Sequence, residues 1–462
     1  MAAFLLLGRI IEKMFQKQKY LIPILLIILC GINSFSQDTD NEIEYVPEFR
    51  LEYRNRIYND KIHTVNFHRG GSSAGLPIIN LNGGEKLELT FDDFSMKVED
   101  LNYRIVHCDN EWNPTEIQYF QCISGSEEPF LNNYTFSTSF NQSYIQYKLF
   151  LPNEEIRFRV SGNYLVYVYR NGDPTKLLLS HRFYVTEDKV LLKAKVHPAF
   201  KPVDRDKKHE IDFSIDFSKY QIINPADAIK VSLIQNNRTD NAITDLKPLF
   251  ISNNTLEYNH NGPNSFWAGN EQRYADLRNL TLKSENIDGF ITRIDSTHVF
   301  IEPMEERRMH RQGSLQGSLY GGRVIGSNSF NHTAASDIDY CMVYFYLNQE
   351  NEDQNGDFYV FGELSNFEFS ERFKMIYEPE KKRYRLAVYL KQGMYNWQIL
   401  YSKDGVTGDI NRVENSFTDA ENSYSILIYH KDITADYVRL IKHTSLFFPS
   451  EQSQFRYNLN RD

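Results

Sequence analysis

Apolar and polar positions alternate with a period of two along most of this chain. Glu85-Lys-Leu-Glu-Leu-Thr-Phe91 sets Leu87, Leu89 and Phe91 on one side. Glu210-Ile-Asp-Phe-Ser-Ile-Asp-Phe217 does the same with Ile211, Phe213, Ile215 and Phe217. Successive side chains of a strand leave opposite faces of the pleat, so this period marks strands with one face buried. The same reading predicts strands over Asn102–Cys108, Gln142–Leu151, Gly162–Tyr169 and His181–Val185. It predicts a second set over Ile229–Ile234, Leu246–Ile251 and Phe290–Phe300. A third set falls at Tyr340–Leu347, Phe358–Gly362, Arg383–Leu390 and Tyr395–Tyr401. Turn signals such as Gly70-Gly71 and Gly83-Gly84 separate the early strands. Short strands at about ten-residue spacing predict an all-β chain of tandem immunoglobulin-like β-sandwich domains.

Composition agrees with the pattern. The chain has 32 Phe, 30 Tyr and 3 Trp in 462 residues, and aromatic side chains suit a pleated, half-buried surface. That length exceeds what one core usually holds. The expected division is a first β-sandwich over 49–187 and a second immunoglobulin-like sandwich over 188–305. A Gly/Ser-rich connection follows over 306–335, then a third domain over 336–435 and a C-terminal tail over 436–462. The boundary after 187 rests on Asp188-Lys189, Pro198, Pro202 and the charged run Asp204–Glu210.

The first 36 residues read as an export signal, with Met14 as an alternative start. Lys17 and Lys19 precede an apolar stretch from Leu21 to Ile32, and Ser34 and Ser36 stand at −3 and −1 of a cut before Gln37. About a dozen apolar residues are too few for a bilayer, which needs about 20. Residues 37–48 are a polar, flexible leader. Cleavage takes the basic and acidic counts from 51 and 61 to 47 and 60, a net charge near −13. Such a surface repels phosphate, which excludes nucleic acid and argues against charge-driven membrane binding. Cys108, Cys122 and Cys341 remain. Cys108 and Cys122 are close enough in sequence for a disulfide in an oxidising compartment, and two buried thiols are the equal alternative.

Catalytic chemistry is not expected, nor a metal or cofactor. His107, Cys108 and Asp109 are adjacent, but neighbours on a strand face opposite ways and no second ligand pair accompanies them. Asn351-Glu-Asp-Gln-Asn-Gly-Asp357 lacks the length and terminal Glu of a calcium loop and reads as a solvated turn. Gly313-Ser-Leu-Gln-Gly317 has its Ser one place too early for a nucleophile elbow. Lys381-Lys-Arg383 and Arg307-Arg308 read as solvated turns. Trp267 with Phe266, and Trp397 with Tyr395, are either core residues or platforms for sugar rings.

One set of motifs goes further. Tyr103-Arg-Ile-Val-His-Cys-Asp-Asn-Glu-Trp-Asn-Pro114, Tyr147-Lys-Leu-Phe-Leu-Pro-Asn153 and Ser161-Gly-Asn-Tyr-Leu-Val-Tyr-Val-Tyr169 occur in this order. Together they resemble the plug protein family of the type IX protein secretion system. The resemblance implies a periplasmic protein at the inner face of the outer membrane. Its implied partner is the large β-barrel translocon, whose periplasmic opening it would seal when no cargo is present. It implies no site residues. Phe358-Tyr-Val-Phe-Gly-Glu-Leu-Ser-Asn366, with Arg383 to Trp397, also resembles the early-set immunoglobulin-like domains of starch-processing enzymes. The alternative function is therefore a periplasmic or secreted carbohydrate-binding protein. An outer-membrane barrel fits less well, since the connections are long and polar.

Overall fold

Alternation becomes sheet wherever the sequence predicts it most strongly. The computed structural model describes residues 50–72, 75–139, 141–244, 246–310, 318–328, 335–431, 435 and 437–449. The export signal, the 37–48 leader, Gly313–Gly317 and the last residues of the tail lie outside them. Apart from short helical turns the regular structure of the described chain is all strand, arranged as three packed β-sandwiches.

In the first sandwich, Arg56–Ile57, Asp173–Thr186, Gly162–Arg170 and Leu101–Cys108 form one sheet, with Ile78–Asn80 parallel to Asp173–Thr186. Ile62–Arg69, Leu87–Asp93, Ile145–Leu151 and Tyr134–Phe136 form the other. Phe91, Tyr147, Tyr164, Val166 and Phe183 meet between them. Gly162–Arg170 is buried on both faces along nearly all its length. Tyr164, Val166 and Val168 enter the main core, while Leu165, Tyr167 and Tyr169 pack outside it with Cys108, Tyr58 and Leu177. Double coverage explains its almost unbroken apolar run.

The remaining chain departs from the expected division. The second sandwich pairs Leu191–Pro198, Lys208–Asp216, Thr255–Glu257 and Phe250–Ser252 in one sheet. Its other sheet runs Arg238–Ile243, Ile229–Gln235, Asn422–Lys431, Val438–Phe448. Two strands thus come from the far end of the chain, with Ile229 opposite His430 and Gln235 opposite Tyr424. Residues assigned to a third domain and a tail complete the second core, where Ile426, Ile428 and Ile441 meet Phe213, Ile215 and Val231.

The third sandwich is inserted between those halves. Arg273–Asp276, Gly393–Ser402, Arg323–Ile325 and Asp357–Phe361 make one layer. Ile287–Thr292, Thr297–Ile301, Tyr340–Asn348, Arg383–Lys391 and Ile376–Glu378 make the other. The stretch Phe290–Phe300, expected as one strand of the second domain, is a hairpin of the third. The 306–335 segment is also no simple connection. Its Arg323–Ile325 pairs with Gly393–Tyr395, and Arg323 is buried.

The sandwiches are joined through buried polar contacts. Lys391 of the third and Asp92 of the first form an ion pair at 2.7 Å, each side chain 1% exposed. The Tyr340 hydroxyl donates to the same Asp92 oxygen at 2.6 Å, and the Lys391 ammonium lies 4.1 Å from the centre of the Tyr144 ring. Burial pulls the Lys391 pKa down, with Asp92 acting against it. Arg323 donates to Asn66 at 2.8 Å, and Arg372 donates to the Ile62 and Asp60 carbonyls at 2.7 Å each. Between first and second, Arg439 grips Glu187 at 2.7 and 2.8 Å.

Candidate functional site

The motif residues of the first sandwich come together at the end that faces the second. His107 closes its strand on the core side, with Nδ1 2.8 Å from the Thr115 hydroxyl and Nε2 3.4 Å from the Ser161 carbonyl oxygen. A Cβ at residue 162 would collide with that imidazole, which is why Gly follows Ser161. Asp109 caps its own turn by accepting from the Glu111 and Asn113 amides at 2.8 and 2.9 Å. The turn carries Trp112, a non-glycine residue with φ of 70°. Its ring meets Tyr184 edge-on at 5.3 Å and lies 4.3 Å from the Arg182 guanidinium.

From this end the ties run outward. Asn163 donates to the Asp109 carbonyl and accepts from the Tyr429 hydroxyl of the second sandwich, both at 2.9 Å. Ser161 donates to Glu187 at 2.8 Å, the carboxylate that Arg439 holds. In the Leu-Pro-Asn motif, Asn153 donates to the Tyr103 hydroxyl at 2.9 Å and accepts from the Glu155 and Ile156 amides. Asn153 thus braces the first sandwich internally, whereas Asn163, Ser161 and Glu187 build a joint between sandwiches. Sequence reasoning missed that role because the partners Tyr429 and Arg439 lie far along the chain.

Cys108 and Cys122 are not bridged, and with Cys341 they are free, buried thiols. Cys108 belongs to the cluster outside its sheet and Cys122 to the core within, so the sheet separates them. Burial pushes their thiols up to about 12 and about 11, and that of Cys341 to about 12. All three stay protonated and unreactive at neutral pH. Among the described residues no group of three or more His, Cys, Asp and Glu is placed to hold a metal ion. In the 351–357 turn, Asp353 already accepts from the Asn355 amide, the Tyr401 hydroxyl and Arg412.

Burial also lowers the imidazoles of His107, His181 and His209 from 6.5 to about 4. Between those values the unfolded chain takes up protons that the folded protein refuses. Their contribution to stability is therefore complete above pH 6.5 and lost as pH falls towards 4. Thermal melts should show a midpoint that declines steadily from pH 7 to 4.5. A flat midpoint across that window would contradict the burial of these rings.

Two sheet edges are among the apolar features that folding leaves uncovered. The edge strand Tyr134–Phe136 is exposed at all three residues, with exposed Phe130 preceding it. Phe250–Ser252 is likewise exposed throughout and follows exposed Leu249. Unpaired edges carrying apolar side chains are places where another chain can add. The two tryptophan candidates separate. Trp397 is buried against Phe345, whereas Trp267 is 43% exposed and lines a cleft of about 510 Å³.

Fold and joint together define a multi-sandwich, all-β protein whose His107–Ser161 motif is architectural, built into how the sandwiches meet. Residues 62–187 match the family model described as the type 9 secretion system plug protein 1st domain. The first sandwich thus matches the first domain of the type IX secretion plug family, as its motifs indicate, and this domain points to a role in type IX secretion. The solved crystal structure of a hypothetical protein from Parabacteroides merdae ATCC 43184 is similar. It has 28% identity and a TM-score of 0.81, covering 86% of this chain and 100% of that one. No curated protein matches the sequence. No helix among the described residues is long and apolar enough to cross a membrane.

Proposed function

We propose that this protein closes the periplasmic opening of the outer-membrane type IX translocon while no cargo occupies it. In this reading a cleavable signal exports it, the barrel holds it at the inner face of the outer membrane, and it acts by shape without breaking bonds. The supporting observation is the locking of three sandwiches by the buried Lys391–Asp92 pair and the part-buried Arg439–Glu187 pair. A pore wide enough for folded cargo needs a closure that is broad and does not flex under a solute gradient. Separate domains on mobile linkers would not serve.

The contact must also release. An interface of roughly 1,200–2,000 Å² with a few aromatic or Arg anchors meets that need. The exposed edges at Tyr134–Phe136 and Phe250–Ser252 offer both backbone and aromatic contacts. Affinity purification of the tagged chain from detergent-solubilised envelopes should bring down a large outer-membrane barrel, and its absence would count decisively against closure. Deleting the gene should admit antibiotics normally too large for the outer membrane. Unchanged uptake in cells that retain an open translocon would contradict the reading.

A further inference from the structure

Trp267 stands at a cleft that neither exposed edge borders. The cleft of about 510 Å³ lies where the second sandwich meets the third. Its volume falls within the range of small-ligand sites, about 300–1,000 Å³. Gln235, Asn241 and Trp267 line it from the second sandwich, and Tyr401 and Asp409 from the third. The Lys208 ammonium lies 4.4 Å from the Trp267 ring centre, yet nearly half of the residue stays open.

The polar lining has two notable properties. First, it carries no excess positive charge. Arg238 is held by Asp240 through two hydrogen bonds, at 3.0 and 2.7 Å, and the lining holds Lys403 beside two carboxylates, Asp404 and Asp409. Phosphates, nucleotides and acidic polymers find no positive field here. Second, the amides in its wall are held in fixed orientation. Gln235 donates to the Trp267 carbonyl at 2.9 Å and accepts from Asn241 at 3.0 Å. That contact fixes which way Asn241 points, and its Oδ1 is buried with no donor within reach among the described residues. A buried acceptor without a donor is costly, and a small outward turn of the Asn241 side chain would let a ligand hydroxyl satisfy it.

An open indole, oriented amides and a charge-balanced wall match the chemistry of a pyranose. Its C–H face stacks on an aromatic ring while its hydroxyls exchange in-plane hydrogen bonds. We propose that this cleft binds a neutral oligosaccharide, a role independent of translocon closure. Trp397, the other tryptophan considered for stacking, takes no part, because it lies in the core of the third sandwich.

The test uses the full mature chain, titrated with maltohexaose, cellohexaose and chitohexaose, and with hexagalacturonic acid as an acidic control. Intrinsic tryptophan fluorescence and calorimetry are read together. At least one neutral hexaose should give saturable binding at about 1 mM or below, and the acidic control should give none. Trp267→Ala should abolish the signal in both methods, and Asn241→Ala should weaken binding about tenfold or more. Thermal melting should show both variants folded, and Asn241→Ala keeps the test decisive should Trp267→Ala fail to fold. Failure of every neutral hexaose to bind overturns the proposal. So does unchanged affinity in folded Trp267→Ala or Asn241→Ala, or binding of the acidic control alone.

Discussion

Lys391→Met should cost about 3–5 kcal/mol of folding stability, because it strands the Asp92 carboxylate inside the joint between first and third sandwiches. Met keeps the length of the stem and removes the charge. Asp92, 1% exposed, would then keep only the Tyr340 hydroxyl at 2.6 Å and Gln146 at 3.1 Å. Water cannot reach it to compensate. Urea denaturation should show the loss as a lower midpoint. It should also show a broader or split transition, as the first sandwich is freed from the third. Adding Asp92→Asn to Lys391→Met should recover a large part of the loss, since no unpaired charge then remains buried. A single mutant as stable as the wild type would mean that the pair does not hold the sandwiches together.

Trp397→Ala should cost about 3–5 kcal/mol, the range for emptying a large aromatic site in a packed core. The indole is 1% exposed, meets Phe345 edge-on at 5.4 Å, and stands opposite Arg273 in a strand flanked on both sides. Its Nε1 lacks an acceptor among the described residues, so deleting that donor offsets part of the loss. Trp267→Ala, by contrast, should cost about 1 kcal/mol or less, as befits a half-exposed side chain at a short edge strand. Parallel melts of the two variants check this directly. Equal losses would show that Trp267 is core as well.

The two tryptophans also illustrate how far the sequence could be read. Both sit beside aromatic neighbours in strand-like stretches, and no local signal separates them. Register decides, and register depends on partners far away in the chain. Strand existence was legible because alternation is local, as in Leu87–Phe91 and Ile211–Phe217. The first sandwich was legible for the same reason, its strands pairing within one continuous stretch. The second was not. Val438–Phe448 reads as a tail until its neighbour Asn422–Lys431 is seen beside Ile229–Gln235. The motif around His107 and Ser161 was legible as a family mark and illegible as a joint. Asn163 and Glu187 find Tyr429 and Arg439 only after the chain has doubled back.

That doubling back fixes an order of events during biogenesis. A chain that emerges amino end first can complete its first sandwich early. The half-built second must wait, its Ile229–Gln235 strand uncovered, until the whole inserted module has emerged and the closing hairpin arrives. Such long-range pairing is slow to form and leaves sticky strand margins exposed meanwhile. Newly made molecules therefore pass through a window in which the rate of closing that sheet, more than the stability of the finished fold, sets their exposure to aggregation.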